Sequence, residues 1–550
     1  MHQPEPQSLM YPTLLHDIEK GSIKIPQFQR DFVWTKQKSA KLLDSIVKGY
    51  PIGTFILWKT KESLRAVRNI GDAKLPETPA GDFIQYVLDG QQRMTSIFAS
   101  LKGLKIEREG SSDDFKDIFI DLTAPDDGDI VITDMASKEP KALIRVVDLI
   151  NAELSFLFGY PAEFHGRLDE LRTRIKNYAF STILLREAPI DVATEVFTRI
   201  NVTGSPLSVF EIMVAKTFDP AKDFDLAEKY DGLMERLRDV DYDTIPPSVV
   251  LQTVSAIIVK DCDKKAILGL DKKRFIETWP GAIDAIESAV DYFRNFYRIP
   301  VSSLLPYGAL LIPFSYFFYQ QGEKPTGKKQ DYLQDFFWRT SLGGRYSSSL
   351  ETKVVQDLKR IDEICAERLP EYDYPIDISA RFIEENGQFS VSRSYIKALL
   401  CLLAYQEPKS FVDNSIVRIS NDWLKQVNSK NYHHFFPRSY LQKRIPNDPR
   451  INHIGNITIV DDHLNKNKIR DRAPSDYTSD FLARNKKLAD TMRTHLIDLQ
   501  TFGIWEDYFD AFFKNRCDWI SRELATRVIR HSVDARVQPV DLADIEEVAV

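Results

Sequence analysis

Tyr86–Leu101 reads YVLDGQQRMTSIFASL, and its period changes in the middle. Tyr86, Val87 and Leu88 form a short apolar run of the kind a buried strand makes, and Asp89-Gly90 ends it. From Gln91 onward Met94, Ile97, Phe98 and Leu101 recur at the three- and four-residue spacing of an amphipathic helix. A strand that passes through a glycine turn into a helix is an α/β element, and the preceding sequence agrees. Ile25-Pro26 opens an extended stretch, because the residue before proline is pushed out of the helical region. Ala40, Leu42, Leu43, Ile46 and Val47 predict a helix that Gly49 and Pro51 stop. Thr54–Trp58 is a run of β-formers and predicts another strand.

The character changes after Ser208. Asp225–Val240, Ser248–Asp261, Arg274–Tyr297, Asp331–Ser341 and Leu350–Leu369 are long amphipathic windows with little β-branched alternation, so an all-helical module is expected. Leu304–Tyr319, LLPYGALLIPFSYFFY, is shorter than the ~20 residues of a membrane span and is broken by prolines, which predicts a buried helix pair or a kinked core helix. At roughly 100–200 residues per domain, 550 residues suggest about three domains or two large ones, and the shifts in character along the chain divide it as 1–215, 216–375 and 376–550. The last begins helical (Ser394–Tyr405), passes a short β-rich stretch at Asn456–Val460 and returns to helices. The 73 basic and 80 acidic residues leave a net charge of −7, so the chain is not a basic, histone-like DNA binder, and any nucleic-acid surface must be local. Cys262, Cys365, Cys401 and Cys517 lie far apart, which excludes a close-spaced cysteine zinc cage and fits a reducing, cytoplasmic setting. His2–Ser8 is polar and carries no secretory signal.

Asn431–Pro474, NYHHFFPRSYLQKRIPNDPRINHIGNITIVDDHLNKNKIRDRAP, holds four of the nine histidines: His433, His434, His453 and His463. Eight basic residues face four acidic ones there, a local reversal of sign that suits a phosphate backbone. The pattern His-His-aromatic-aromatic-Pro, then Gly-Asn-Ile-Thr-Ile-Val, then Asn465-x-x-Lys468 resembles the HNH (ββα-metal) nuclease motif. That resemblance implies His433 and Asn465 as metal ligands, His434 as general base and Asn456 as the residue that fixes the loop. Arg438, Lys466 and Lys468 are the candidate DNA contacts. A neutral imidazole can take a proton from water near neutral pH, and a hard divalent ion suits an imidazole and an amide oxygen with positions left open. His453 and His463 match no motif position and are expected to be solvated or to face phosphate.

Three N-terminal segments stand out: Ile25–Trp34 (IPQFQRDFVW), Val87–Ser96, and Phe197–Glu211 with Arg199, Asn201 and Gly204. In the second, a helix N-terminus follows Asp89-Gly90, where unpaired amides and the helix dipole favour an anion. No G-x-x-x-x-G-K-[ST] is present, so a P-loop is excluded. Together the three segments resemble the N-terminal, ParB/sulfiredoxin-like domain of GmrSD-type modification-dependent restriction enzymes, with SspE-like proteins sharing the order. The resemblance implies nucleoside triphosphate binding (GTP or ATP) by Gln29, Arg30, Asp89, Gly90, Gln91, Gln92, Arg93, Thr95, Arg199 and Asn201, with Asp89 also catalytic. Phe28 and Trp34 read more simply as core aromatics, and Gly343-Gly344-Arg345-Tyr346 as an interhelical turn.

The expectation is a cytoplasmic antiphage endonuclease with three parts: an α/β N-terminal domain, a helical middle and a mostly helical C-terminal domain around the HNH motif. It would need Mg²⁺ or Mn²⁺ and a triphosphate, and would act on phage or chemically modified DNA, with no membrane partner. A homo-oligomer fits double-strand cleavage, since one such site cuts one strand at a time. The alternatives are a nucleotide-gated DNA-binding regulator and an RNA-targeting toxin nuclease. Plasmid nicking with divalent metal separates them.

Overall fold

In the N-terminal part the apolar runs become a five-stranded sheet. Its strands are β1 (Glu5–Met10), β2 (Ile23–Lys24), β3 (Phe55–Thr60), β4 (Ile84–Asp89) and β5 (Ala179–Arg186), in the order β1-β5-β3-β4-β2. β5 is parallel to β3 and antiparallel to β1, while β4 is antiparallel to β3 and parallel to β2. The central β3 is buried on both faces, with Phe55, Leu57 and Trp58 at 2% exposure or less, which is why it reads as a continuous apolar run. Helices α1 (Tyr11–Glu19), α2 (Lys36–Val47) and α3 (Gln91–Lys102) flank it. Leu43, Ile46, Val87, Met94, Ile97 and Phe98 belong to one core.

The computed structural model describes residues 4–26, 32–62, 64, 69–70, 73–76, 78–79, 81–108, 111–136, 138–200, 208–419, 432–460 and 469–536. It forms two compact units, Met1–Leu226 and Ala227–Val550. The second holds both the helical stretch and the histidine-rich segment. Among the described residues no helix is long and apolar enough to cross a membrane.

The first unit continues with α4 (His165–Lys176) and α5 (Ile190–Ile200). The second unit is built on α6 (Pro247–Val259), α7 (Lys272–Asn295), α8 (Leu311–Gln321), α9 (Gly327–Leu342), α10 (Leu350–Cys365) and α11 (Ser394–Tyr405). Aromatic rings fill its centre, with Tyr297 stacked on Phe337 at 4.1 Å and Phe293 against Phe314 at 4.6 Å. Leu304–Tyr319 is neither a helix pair nor a kinked helix. Short 3-10 turns lead into α8, and Pro313 falls in its first turn, where a backbone amide has no intrahelical acceptor to lose.

Gly343–Tyr346 is an interhelical turn, with Gly344 at φ +60°. Arg345 turns inward onto Asp357 at 2.8 Å, and Arg360 reaches the same carboxylate at 2.5 Å. Asp357 is fully buried, so it is shared by two guanidinium groups and by no solvent. Asp357→Asn leaves both cations with the exposed Asp373 as their one shared carboxylate among the described residues. The expected cost is about 3–5 kcal/mol of stability, read as a lower midpoint in urea denaturation; an unchanged midpoint would contradict the bridge.

Candidate active site

The histidine pair lies on a short strand, β6 (Tyr432–His434), which pairs antiparallel with β7 (Ile457–Ile459). His433 stands opposite Thr458 and His434 opposite Ile457. Successive strand positions send the two rings into different environments. The His433 ring is 2% exposed, and its Nδ1 lies 3.2 Å from the Thr458 hydroxyl. That hydroxyl donates its own proton to the His433 carbonyl at 3.1 Å, so it accepts from Nδ1–H. The tautomer is thereby fixed, and Nε2 is a buried nitrogen without a partner among the described residues. Burial, with His434, His495 and Arg516 nearby, pushes the imidazole down to about 3, so it stays neutral. A neutral ring with one N–H tied to oxygen and a bare second nitrogen has the donor chemistry of a metal ligand. Among the described residues no three His, Cys, Asp or Glu side chains converge in a metal-binding group.

His434 is half-buried. Its Nε2 lies 3.1 Å from Asn452 Oδ1, and the Asn452 amide nitrogen donates to the Phe389 carbonyl at 3.2 Å. The Asn452 oxygen is therefore an acceptor, Nε2 carries the proton, and Nδ1 is the basic nitrogen. Burial above all lowers the ring's proton affinity, the Asn452 bond opposes this, and Arg438 lowers it further. The ring is neutral at pH 7, as a proton acceptor must be.

Asn456 is fully buried and closes the loop between the strands. Its Oδ1 accepts the Phe436 amide at 2.9 Å, and its Nδ2 donates to the Phe436 carbonyl at 3.0 Å and the Ile451 carbonyl at 3.1 Å. One carboxamide thus satisfies both backbone groups of Phe436. Helices α12 (Pro474–Arg484) and α13 (Phe509–Ala525) hold the hairpin from below. The Tyr477 hydroxyl donates to the Phe435 carbonyl, and Arg516 Nη2 to the Ile457 carbonyl at 2.7 Å. Phe435 stacks on Phe512 with centroids 4.7 Å apart.

His453 is not the solvated or phosphate-facing residue that the sequence suggested. It is fully buried, its Nδ1 accepts the Gly455 amide at 3.0 Å, and its Nε2 donates to the Ile383 carbonyl at 3.0 Å. With both nitrogens on backbone, it is a structural clamp. The basic segment is also less free than its count implied. Arg450 pairs with Asp448 and Asp510, Lys443 with Asp471 at 3.3 Å, and Arg472 with Asp480 at 2.7 Å. Arg438 is exposed with no carboxylate partner among the described residues. Asn465, Lys466, Lys468 and His463 lie outside the described residues.

In the first unit, Gly90 opens α3 at φ +92°, and a Cβ there would come within 2.4 Å of the Phe55 ring. Only glycine makes this turn without strain. Arg93 folds back across it. Its Nη1 donates to the Ile52 carbonyl at 2.7 Å and its Nη2 to the Thr54 carbonyl at 3.1 Å and to Asp89 at 3.0 Å. The guanidinium braces the chain leading into β3, a role the sequence did not suggest. The Gln92 side-chain oxygen accepts the Val33 amide at 2.9 Å, so the turn also holds the end of the Ile25–Trp34 segment. Gln91 and Thr95 are buried, the latter with a hydroxyl that has no partner among the described residues. Trp34 packs against the core, half-buried. Arg199 pairs with Glu195 at 2.6 Å on an exposed face of α5. Gln29, Arg30, Asn201 and Phe28 lie outside the described residues.

Sequence reasoning missed Asn452 and Thr458, the two groups that fix the histidine tautomers. Asn452 stands four residues before Asn456 and Thr458 two after it, and no motif position marks either.

Comparison with known proteins fits this division. Residues 12–218 match the family described as GmrSD restriction endonuclease, N-terminal domain. The chain is also similar to an uncharacterised protein of Methanocaldococcus jannaschii, 23% identical over 565 aligned residues that cover 91% of this chain and 93% of the relative. Residues 12–218, within the first unit, are thus similar to a domain of restriction endonucleases.

Burial holds His453 and His495 down to about 4, against an ordinary value of 6.5. Because the folded value is depressed, the unfolded chain binds more protons between pH 6.5 and 4. Their contribution is intact above pH 6.5 and is lost as pH falls to 4. We expect stability of the second unit to fall by roughly 1–2 kcal/mol per histidine between pH 7 and 5. Urea midpoints measured across that range check this, and His453→Gln should flatten the slope. An unaltered slope would contradict it.

Proposed function

We propose that this chain is a DNA endonuclease with an HNH-type C-terminal site, restricted to modified DNA and regulated by a nucleoside triphosphate held in its first unit. The observation that carries the reading is the pair of imidazoles on one hairpin, each with one nitrogen tied to a polar side chain that is itself committed to a backbone carbonyl. The relation of residues 12–218 to restriction endonucleases supports DNA as the substrate.

In this reading His434 Nδ1 takes the proton from the attacking water as its oxygen bonds to phosphorus, the opposite ester P–O bond breaks, and the leaving oxygen takes a proton from solvent. Asn452 keeps the ring in the tautomer that can do so. Asn456 fixes the loop that follows the strand of both histidines, and Arg438, with Lys466 and Lys468, meets the phosphate backbone. A divalent metal ion, when bound, would polarise the scissile phosphate, and His433 Nε2 and the Asn465 amide oxygen are the groups that would hold it. Antiphage defence follows as the role of a modification-restricted nuclease, and double-strand cleavage would call for a second copy of the chain or a second encounter. At the other end Asp89, Gly90, Gln91, Gln92 and Arg93 form the turn at which the triphosphate would bind. Arg93 already braces that turn, so a ligand there and the approach to β3 share one guanidinium. Differential binding of two arrangements could then couple nucleotide to cleavage.

Two experiments test the two ends. His434→Ala should lower Mg²⁺-dependent plasmid cleavage by about 10²–10⁴-fold while leaving triphosphate hydrolysis in place. Cleavage at the wild-type rate would remove His434 from the chemistry. Asp89→Asn should abolish phosphate release from GTP and ATP and leave the melting temperature within a few degrees. Wild-type hydrolysis by this variant would reduce Asp89-Gly90 to a turn.

A further inference from the structure

Away from both ends of this scheme, the first unit contains a cavity of about 180 Å³ beside α4. Leu154, Leu157, Phe158 and Leu168 form its apolar walls, and His165, Asp169 and Arg172 line the rest. An apolar cavity of roughly 150 Å³ takes a single aromatic ring such as benzene, so this one has room for a planar base. The approach is apolar as well. Leu154, Phe156 and Phe158 are 61%, 48% and 66% exposed, three large side chains in water within five residues. Phe158 stands edge-on to His165 with centroids 5.4 Å apart, and Tyr160 O holds His165 Nε2 at 2.8 Å.

The charges on α4 divide in a telling way. Arg167 and Arg174 are both neutralised by Asp126 and Glu170. Arg172 and Lys176, one turn apart, have no carboxylate partner among the described residues. Arg172 Nη2 touches the Ile150 and Ala152 carbonyls at 3.5 and 3.3 Å, and its buried Nε–H has no acceptor among the described residues. Asp169, exposed on the same helix, offers a carboxylate to an exocyclic amine. An apolar slot for a ring, an acceptor at its edge and two uncompensated cations beside it match a base with its phosphate.

We propose that this cavity binds one unstacked nucleotide of the DNA strand, with the base between Phe158 and the leucines and the phosphate on Arg172 and Lys176. Phe156, exposed and lying in sequence between the lining residues Leu154 and Phe158, is an apolar side chain that can occupy the gap left in the stack. The proposal rests on the endonuclease reading and gives its modification sensing a place. A base that pairs weakly costs least to extrude, so chemical change to the base is read as ease of entry and fit.

The test uses the full chain and two duplexes that carry one 2-aminopurine, opposite thymine or opposite an abasic site. The abasic duplex should bind about tenfold more tightly, because extrusion there breaks no base pair, a saving of about 1.4 kcal/mol at that ratio. 2-Aminopurine emission should change on binding. Leu154→Trp, which fills the cavity from an exposed position, and Phe158→Ala should each bring that ratio to one, with circular dichroism confirming the fold. A wild-type ratio of one, or a ratio untouched by both substitutions, overturns the proposal. So does displacement of the abasic duplex by free 2-aminopurine riboside monophosphate at duplex-like concentrations, which would assign the cavity to a free nucleotide. Plasmid cleavage by the wild-type chain separates the two claims: cleavage without a preference removes the pocket alone, and no cleavage with no DNA binding removes both.

Discussion

The carboxamide of Asn456 is the constraint on which the C-terminal site depends. A loop must run from His434 through two buried phenylalanines, away along α-helical and 3-10 turns, and back to β7. Its backbone groups are buried at Phe436 and Ile451, where water cannot satisfy them. One side chain with an acceptor and two donors serves three of them at once. An aspartate would offer no donor, and a leucine neither. With the loop closed, Phe435 and Phe436 can pack on α13, and the strand that carries His433 and His434 has a fixed register against Thr458 and Ile457.

A second layer of hydrogen bonds then decides what the two imidazoles can do. Thr458 and Asn452 are ordinary polar residues, but each is itself committed to a backbone carbonyl, and that commitment dictates which ring nitrogen keeps its proton. His453 uses the same device for a different end, since both its nitrogens are spent on backbone and it only holds the loop. Three histidines in 21 residues thus have three roles set by their partners. The first unit repeats the logic around Gly90. The glycine turn lets Phe55 sit against the start of α3, and Arg93 and Gln92 then tie the neighbouring segments to that turn.

Much of this was legible in the sequence. The change of period at Gly90 gave a strand and a helix that end within a residue of where the structure has them. The amphipathic windows of the middle became α6, α7, α9 and α10 with boundaries shifted by a few residues. Periodicity reports which face is apolar, and that survives folding. What stayed hidden was tertiary. His453 looked solvated because a polar residue flanked by Asn452 and Ile454 carries no sign of burial, and its acceptor, Ile383, lies 70 residues away. The basic segment looked open because Asp510 and Asp480, which neutralise Arg450 and Arg472, lie beyond it in the chain. Leu304–Tyr319 was misread because a proline in a first turn and a proline in mid-helix look alike until the helix start is known.

The account's central claim is that His434, held by Asn452, supplies the base. Chemical rescue tests it most directly. His434→Gly opens a space the size of the lost ring beside Asn452, and imidazole in solution can fill it. With Mg²⁺ present, plasmid cleavage by this variant should be absent in plain buffer and return as imidazole is added. Cleavage at the wild-type rate without imidazole would contradict the account.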